Sequence, residues 1–299
     1  TDNKLHKSPE PLSREYFRDY MMLSKFRLST SVVGTTLIAY FMSVQINSFL
    51  DFEWMKFFGL AVGGMLVVAA SNGFNQIYEK DTDKLMSRTQ NRPLADGRMS
   101  VNDAMIFSVV CAVLGLLVLL FFVNPRAAFL SLVSIFVYTL AYTPMKTKTP
   151  FAVFVGAIPG ALPPAIGWVA GVGNIDFVAI FFFVLQLFWQ FPHFWSIAWM
   201  LEDDYRKANY TLLPDYEGRT KKNASRIVLY SFYLLLISMY PVFATDFCTY
   251  YALFIIVPMG LFLIYKSFLL RKDLSVQSAK KLMYATLLYM PLVLLSYLL

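Results

Sequence analysis

The sequence predicts an all-α polytopic membrane protein: a bundle of nine transmembrane helices with its N-terminus in the cytoplasm and its C-terminus on the outer side. Three observations lead to this class. The chain of 299 residues is 58% hydrophobic and only 15% charged, whereas soluble domains are about a quarter charged. Its apolar runs approach the roughly 20 residues that a helix needs to cross a bilayer. Its Lys and Arg residues are unevenly distributed among the segments between those runs.

Nine apolar runs are long enough to be transmembrane helices. In chain order they are residues 27–48, 54–78, 101–123, 127–143, 151–171, 177–200, 226–245, 249–270 and 279–299. Several contain Gly or Pro, which is ordinary in membrane helices because neighbouring groups satisfy the freed backbone atoms. Residues 1–26 are polar and charged, so we predict a cytoplasmic N-terminal segment without a cleavable signal peptide. A single transmembrane domain over 27–299 follows it.

The positions of the basic residues predict the orientation. When the nine spans are threaded from a cytoplasmic N-terminus, every Lys and Arg except Lys56 and Arg126 lies on the cytoplasmic side. This is the distribution that the positive-inside rule describes. The net charge of +7 is therefore explained by topology and by anionic lipid. We expect no binding to nucleic acid.

Loop lengths indicate which face of the membrane carries the chemistry. The outer loops are short, whereas two cytoplasmic loops, 79–100 and 201–225, are long and rich in both acids and bases. Cys111 and Cys248 each lie inside an apolar run, so they indicate neither a disulfide framework nor a thiolate metal site. We therefore expect the site at the cytoplasmic ends of the second and sixth predicted helices.

The stretch NQIYEKDTD places oxygen-bearing side chains at the end of the second predicted helix. Asn75, Glu79 and Asp83 are spaced i, i+4, i+8, so on a helix they form one stripe with steps of roughly 6 Å. Asp81 points elsewhere on an ideal helix. Carboxylate and amide oxygens suit Mg²⁺, which proteins usually hold through one or two carboxylates and substrate phosphates. The stripe predicts a Mg²⁺ site.

Phosphate-binding residue types follow this stripe closely. They are Arg88, Asn91 and Arg92, and a guanidinium fork matches the geometry of phosphate. Acids for a metal beside arginines for phosphate predict a Mg²⁺–diphosphate site. The alternative is a solvated helix end whose charges serve topology alone.

Two further charged groups lie on the same predicted face. Glu202, Asp203 and Asp204 follow the sixth predicted helix, and the short loop TPMKTKTP contributes Lys146 and Lys148. Cations and metal ions that converge on a diphosphate stabilise the charge that develops on a departing oxygen. These groups therefore favour chemistry in which an allylic diphosphate leaves.

The stretch LFWQFPHFWSIAW places a histidine inside the sixth predicted helix. Ionisable groups within a span are costly and tend to face the interior of the bundle, so His193 is a candidate site residue. The alternative is a neutral, hydrogen-bonded core histidine. The aromatic neighbours are mainly packing or lipid-facing residues, of which one or two could line a cavity and stabilise a carbocation. These neighbours are Phe188, Trp189, Phe191, Phe194 and Trp195.

These features resemble the UbiA superfamily of intramembrane prenyltransferases. The resemblance rests on the N-x₃-[D/E]-x₃-D pattern, the acidic loop after the sixth helix and the nine predicted helices. Five sequence segments are similar to those of superfamily members that farnesylate heme, and the resemblance as a whole runs from about residue 20 to the end of the chain. The segments are NQIYEKDTDKLMSRTQNRPLADG, YTPMKTKTP, GAIPGALPPAIGW, WQFPHFWSIAW and DDYRKANYTLLPDYEG.

The resemblance implies a Mg²⁺-dependent transferase of heme biosynthesis. Such an enzyme moves the farnesyl group of farnesyl diphosphate to a vinyl group of heme B (protoheme IX), giving heme O and diphosphate. The resemblance also implies a multi-pass protein of the bacterial cytoplasmic (inner) membrane whose site opens toward the cytoplasm. Heme A synthase or the terminal oxidase assembly is the implied protein partner.

The resemblance assigns roles by position. The implied Mg²⁺ ligands are Asn75, Glu79, Asp83 and Asp204, with Asp81 and Asp203 as further candidates. The implied diphosphate contacts are Arg88, Asn91, Arg92, Lys146 and Lys148, and the implied heme contacts are His193 and Trp189. The implied catalytic set is Asn75, Glu79, Asp83, Asp204 and His193.

The sequence departs from the superfamily pattern at two positions. Glu79 stands where many bacterial members have Asp, which keeps the charge but lengthens the side chain. Met200 stands four residues before Asp204, where the second D-x₃-D motif has its first acid. A second Mg²⁺ would therefore have fewer protein ligands, unless Glu202 or Asp203 contributes one.

Two other functions are compatible with parts of this pattern. One is a UbiA-type prenyltransferase that acts on an aromatic or quinone precursor, and the WQFPHF and TLLPDY phrases favour heme over that substrate class. The other is a membrane transporter, in which intramembrane polar groups line a path. The grouping of the acids at one membrane face counts against a transporter.

Overall fold

The computed structural model describes residues 13–47, 51–244 and 248–299, and within them the chain is helical and contains no strand. Residues 1–12 of the predicted N-terminal segment lie outside this description. The helices are α1 (Arg14–Leu23), α2 (Phe26–Ile46), α3 (Trp54–Asp83), α4 (Val101–Phe122), α5 (Pro125–Met145), α6 (Ala152–Val172), α7 (Phe177–Met200), α8 (Glu202–Lys207), α9 (Lys221–Ala244), α10 (Leu253–Asp273) and α11 (Val276–Ser296). The predicted all-α class is confirmed.

Eight helices in the described ranges are long and apolar enough to cross a membrane: α2 to α7, α9, and α10 together with the turn that precedes it. The predicted polytopic membrane protein is confirmed at this level. Helix α11 is also 21 residues long, but it contains Lys280 and Lys281 near its start and is not one of the eight. The ninth span, the orientation and the boundary between residues 26 and 27 stay predictions.

Helix α3 continues to Asp83, past the predicted apolar run 54–78. The predicted boundary was placed where the apolar residues end, but Asn75, Glu79 and Asp83 are buried against other parts of the protein. Those tertiary contacts support helix where hydropathy alone does not. With 30 residues and a rise of 1.5 Å per residue, α3 is about 45 Å long. It therefore exceeds the roughly 30 Å hydrocarbon core of a bilayer.

Helix α5 contains a segment of π-helix from Val137 to Tyr142. It begins at Pro125, where the Asn124 side chain accepts a hydrogen bond from the Ala127 amide at 2.8 Å. Single turns of π-helix inside α-helices are frequent at functional sites. The π-helix ends four residues before Lys146, near the cytoplasmic end of α5 in the predicted orientation.

Neighbouring helices pack against one another along the bundle. Helix α3 packs against α4, α2 against α6, α6 against α7, and α9, α10 and α11 pack in series back onto α7. A Cβ atom added at Gly63 would lie 3.2 Å from the Gly115 carbonyl oxygen, and one added at Gly115 would lie 3.0 Å from the Gly63 oxygen. The α3 and α4 backbones are therefore in contact, as at small-residue interfaces in membranes.

Candidate active site

A cavity of about 420 Å³ runs between α2, α3, α5, α6 and α7. At one end its walls are polar, and the residues there are Lys25, Glu79, Asp83, Arg88, Arg92, Tyr138, Tyr142, Lys146, Tyr205 and Tyr210. Farther along, the walls are mainly apolar, with Leu28, Val32, Val33, Leu60, Val67, Val68, Leu119 and Ile166. The cavity therefore has the form that an amphiphile with a charged head group and a hydrocarbon tail would need.

The three oxygen-bearing side chains predicted to share a stripe do so on α3. Asn75, Glu79 and Asp83 have 0%, 4% and 1% of their surfaces exposed, and the two carboxylates lie on the cavity wall. Asp81 lies between them in sequence, but its side chain is 72% exposed and pairs with Lys84 at 2.8 Å. The structure therefore separates Asp81 from the group, as the ideal-helix argument predicts.

Each of these three side chains has its own basic partner. Lys25 Nζ donates to Asn75 Oδ1 at 3.2 Å, and Lys146 Nζ donates to Glu79 Oε1 at 2.7 Å. The Arg92 guanidinium donates to both oxygens of Asp83, at 2.8 and 2.7 Å. The three cations come from different segments: the α1–α2 break, the end of α5 and the loop after α3. We call these six side chains the cation–oxygen cluster.

The surroundings set the charge of the two lysines. Burial by itself lowers the pKa of Lys146, but the adjacent Glu79 carboxylate outweighs burial and holds that pKa well above its ordinary value. Lys25 has only an amide as its close partner. Burial, reinforced by the charges of Arg92 and Lys146, lowers the pKa of Lys25 to about 7. The Glu79 carboxylate therefore favours the charged form of Lys146, whereas burial without a carboxylate partner disfavours the charged form of Lys25.

Sequence reasoning missed Lys25, because it falls inside the segment predicted to be a solvated N-terminus. It lies at the break between α1 and α2, with a left-handed backbone conformation (φ 47°). The signal that could have identified it was a basic residue directly before the second helix, which packs along α3. Only the packing of α2 on α3 shows that the two are neighbours.

Sequence reasoning also missed the tyrosines around Lys146. Tyr138, Tyr142 and Tyr210 line the cavity, and Lys146 Nζ lies 4.5 Å from the centre of the Tyr142 ring. Tyr210 is held by a 2.8 Å hydrogen bond between its hydroxyl and Thr82 Oγ1. The i, i+4, i+8 spacing of Tyr138, Tyr142 and Lys146 was the available signal. Aromatic faces at this position can stabilise positive charge.

The second acidic cluster makes structural contacts. Asp204 accepts hydrogen bonds from the amide and hydroxyl of Ser87, each at 2.9 Å, and from the Arg88 amide at 3.3 Å. Although partial burial raises the pKa of Asp204, hydrogen bonds from Ser87 and Lys207 outweigh it and lower that pKa to about 2. Asp204 therefore holds the turn after α3, and it is not on the described cavity wall.

The other acids of this cluster are not on the described cavity wall either. Glu202 pairs with Arg206 at 2.8 Å, and Asp203, with a side chain 80% exposed, pairs with Arg219 at 2.9 Å. Of the predicted diphosphate contacts, Arg88, Arg92 and Lys146 line the cavity. Asn91 and Lys148 are exposed and are not on the described cavity wall.

His193 lies on the cavity wall together with Phe194, Ile197 and Ala198. Its Nδ1 is 2.8 Å from Thr286 Oγ1, and the same Thr286 hydroxyl donates to the Met283 carbonyl at 2.6 Å. A hydroxyl has one proton, so Thr286 accepts from His193, and Nδ1 of the neutral ring carries the hydrogen. The other nitrogen, Nε2, therefore has a free lone pair.

Trp189 packs against the face of the His193 ring. The two rings stack with centroids 4.6 Å apart and an interplanar angle of 14°, and Trp189 Nε1 donates to the Thr286 carbonyl at 2.7 Å. Trp189 itself is not on the described cavity wall. Phe188, Phe191 and Trp195 pack with Tyr230, in agreement with the packing role predicted for most aromatics of this stretch.

The donor set at the polar end fits a magnesium ion that is shared with a ligand. In the described part of the chain, no three Asp, Glu, His or Cys side chains gather into a ready-made metal site. The α3 stripe nevertheless offers two carboxylates and one amide oxygen. Mg²⁺ is commonly held by one or two carboxylates while substrate phosphates complete its shell.

Sequence comparison assigns this fold and cavity to a class of membrane prenyltransferases. Residues 32–288 match the UbiA prenyltransferase family, and the chain belongs to that family. A curated relative is the protoheme IX farnesyltransferase of Christiangramia forsetii. It is 42% identical over 290 residues, which cover 96% of this chain and 94% of the relative.

Two solved structures share the fold. One is described as digeranylgeranylglyceryl phosphate synthase in membranes, with a TM-score of 0.77, 21% identity, and coverage of 95% of this chain and 98% of that chain. The other is a UbiA homolog from Archaeoglobus fulgidus bound to GPP and Mg²⁺. Its TM-score is 0.63 at 14% identity, with coverage of 93% and 99%.

Proposed function

We propose that the protein is a Mg²⁺-dependent farnesyltransferase that joins farnesyl diphosphate to a vinyl group of heme B, giving heme O and diphosphate. The observation that carries the proposal is the composition of one cavity. Its wall holds the carboxylates and cations suited to a metal–diphosphate, an apolar channel, and His193 with a free Nε2. The similarity to protoheme IX farnesyltransferases over nearly the full chain supports heme as the acceptor.

The diphosphate would bind at the polar end of the cavity. Asn75, Glu79 and Asp83 would hold Mg²⁺, and the basic side chains there would contact the phosphate oxygens. Arg88 is the predicted diphosphate contact that is both exposed and on the cavity wall, so it can reach a ligand that enters from the mouth. Asp204 would hold the Ser87–Arg88 turn, and it would join the metal ligands only by releasing Ser87.

The farnesyl chain would extend along the apolar wall between α2 and α3. Leu28, Val32 and Val33 face this channel from α2, and Val67 and Val68 face it from α3. Burying a branched hydrocarbon there is favourable by about 25 cal/mol per Å² of apolar surface removed from water. The same residues keep water away from the allylic carbon.

Heme B would bind on the side of the cavity formed by α7. His193 Nε2 is a suitable axial ligand for heme iron, because neutral imidazole nitrogen is a common ligand of that metal. Gly156 and Gly160 of α6 also line the cavity, where their lack of side chains lets Tyr142 and Gln190 pack against α6. Trp189 and Thr286 would hold the imidazole in a fixed orientation.

The chemistry then needs little covalent participation by the protein. A bound Mg²⁺ would supply positive charge at the diphosphate. The allylic C–O bond breaks with its electron pair on the diphosphate oxygen, where Arg92 and Lys146 stabilise the negative charge. The vinyl π electrons form the new C–C bond with the farnesyl carbon. Water adds to the cation that remains beside the porphyrin, and the released proton passes to solvent at the mouth.

The test is a reconstituted reaction. Purified protein with heme B, farnesyl diphosphate and Mg²⁺ should yield a heme whose mass has increased by one farnesyl group and one hydroxyl group. Prenylation of 4-hydroxybenzoate in place of heme would instead favour the alternative prenyltransferase class. A matched reaction without Mg²⁺ should yield no product.

We also propose the cellular setting. The protein would lie in the bacterial cytoplasmic membrane with the polar end of the cavity toward the cytoplasm, in accord with the distribution of basic residues. Its product would pass to heme A synthase or to terminal oxidase assembly. Labelling of single-cysteine variants at Lys84 and Lys56 with an impermeant reagent tests the orientation, because the two positions should lie on opposite sides.

A further inference from the structure

The cation–oxygen cluster is already neutralised without substrate. Lys146 lies 2.7 Å from Glu79, Arg92 lies 2.7 Å from Asp83, and Lys25 lies 3.2 Å from Asn75. Two carboxylates thus face three basic side chains. Such a cluster has no excess of negative charge with which to attract a free divalent cation.

A metal ion that arrived alone would have to displace these partners. Glu79 and Asp83 have side chains only 5% and 1% exposed, and Lys146 has 9%. A lysine released from Glu79 in this setting would be left beside a divalent cation without a counter-charge. Removing one partner of a buried ion pair is strongly destabilising. A diphosphate removes this obstacle, because its oxygens can accept the displaced cations.

We infer that Lys25, Lys146 and Arg92 exchange partners when the substrate binds, moving from the metal ligands to the diphosphate, so that the divalent cation enters only together with the diphosphate. This inference rests on the proposed function and adds Lys25 to the binding residues. Lys25, Glu79, Asp83, Arg92 and Lys146 all line the same cavity. The exchange therefore needs only side-chain movement.

The experiment is equilibrium dialysis of Mn²⁺ against the purified full chain, with and without inorganic diphosphate, at matched concentrations of free Mn²⁺. The wild type should bind Mn²⁺ at least about tenfold more tightly when diphosphate is present. Lys146→Gln should bind Mn²⁺ alone more tightly than the wild type, and the effect of diphosphate should shrink. Lys146→Arg keeps the positive charge, so it should bind Mn²⁺ alone more weakly than Lys146→Gln does. Lys222→Gln makes the same charge change as Lys146→Gln on α9, outside the cavity, and should match the wild type.

Equal Mn²⁺ affinity with and without diphosphate in the wild type would overturn the inference. Unchanged binding of Mn²⁺ alone in Lys146→Gln would also overturn it. Binding of Mn²⁺ together with diphosphate by Lys146→Arg shows whether the site is intact. Either result could coexist with heme farnesylation in the reconstituted reaction, so the proposed function would stand. Failure to form product from farnesyl diphosphate and heme would instead count against the proposed function itself.

Discussion

His193 Nδ1 and Thr286 Oγ1 lie 2.8 Å apart, and this contact between α7 and α11 determines which imidazole nitrogen is free. Because Thr286 also donates to Met283, its oxygen can only accept from the ring. The hydrogen is therefore on Nδ1, and Nε2 is the nitrogen with a lone pair. Thr286 in α11 thus sets the tautomer of His193 on the cavity wall.

Thr286→Val should weaken heme binding and lower transfer by roughly 10- to 100-fold, the usual cost of removing a partner of a metal-ligating histidine. Valine keeps the shape of threonine but cannot accept the Nδ1 hydrogen. The measurement is the visible absorption spectrum of heme bound to the protein, alongside the transfer rate. Thr286→Ser keeps the hydroxyl and serves as the control. A wild-type spectrum in Thr286→Val would contradict the assigned tautomer.

Glu79→Gln and Asp83→Asn should each lower turnover by at least about 100-fold, as expected when charge stabilisation is lost at the reacting centre. Both changes keep the size of the side chain and remove a metal-binding charge. The rates should be measured over a series of Mg²⁺ concentrations, because the variants should also lose the wild-type response to Mg²⁺. Asp81→Asn, on the exposed side of the same helix end, should retain near-wild-type activity. If all three behave alike, the stripe is not the metal site.

Asp204→Asn should loosen the turn after α3. Asp204 accepts from the Ser87 and Arg88 amides, and weakening hydrogen bonds worth about 1 kcal/mol each should speed exchange of those amide hydrogens at least about fivefold. Hydrogen exchange followed by mass spectrometry measures this directly. Ser87→Ala removes the hydroxyl contact alone and should cause a smaller effect. Unchanged exchange in Asp204→Asn would show that the acid does not hold the turn.

Gly64→Leu should shift the preferred donor from farnesyl diphosphate toward geranyl diphosphate by about tenfold, within the usual range for a changed hydrocarbon pocket. Gly64 lies on the channel wall, and a Cβ added there would meet Val33 Cγ2 at 3.2 Å. Along α3, Gly64 is about 16 Å from Asn75. A farnesyl chain extends roughly 14 Å, given carbon–carbon bonds of about 1.5 Å. A larger side chain at Gly64 would therefore obstruct the end of that chain.

The comparison of products from the two donors tests this prediction. Gly34→Leu is the matched control, because a Cβ added at Gly34 meets nothing within 4 Å and Gly34 is not on the described cavity wall. An unchanged donor preference in Gly64→Leu would show that the prenyl chain lies elsewhere in the cavity.

Local patterns were sufficient to predict much of the site. A spacing of four residues keeps side chains on one helix face, so the grouping of Asn75, Glu79 and Asp83 could be read without coordinates. The exposure of Asp81 followed from the same geometry. Patterns failed where a contact joins distant segments. Lys25 and Asn75 are 50 residues apart, and His193 and Thr286 are 93 apart, and no local period relates either pair.

The sequence by itself determined the class of the protein. Long apolar runs need lipid, and a helix satisfies its own backbone hydrogen bonds there, so composition and length determined a bundle of membrane helices. Spacing along one helix determined the oxygen stripe. Only the tertiary structure decided which cation each oxygen faces, that the acids of the second cluster are not on the described cavity wall, and which nitrogen of His193 is free. These features depend on how separate helices pack against one another, and that packing reflects contacts across the whole bundle rather than the order of residues in any one segment.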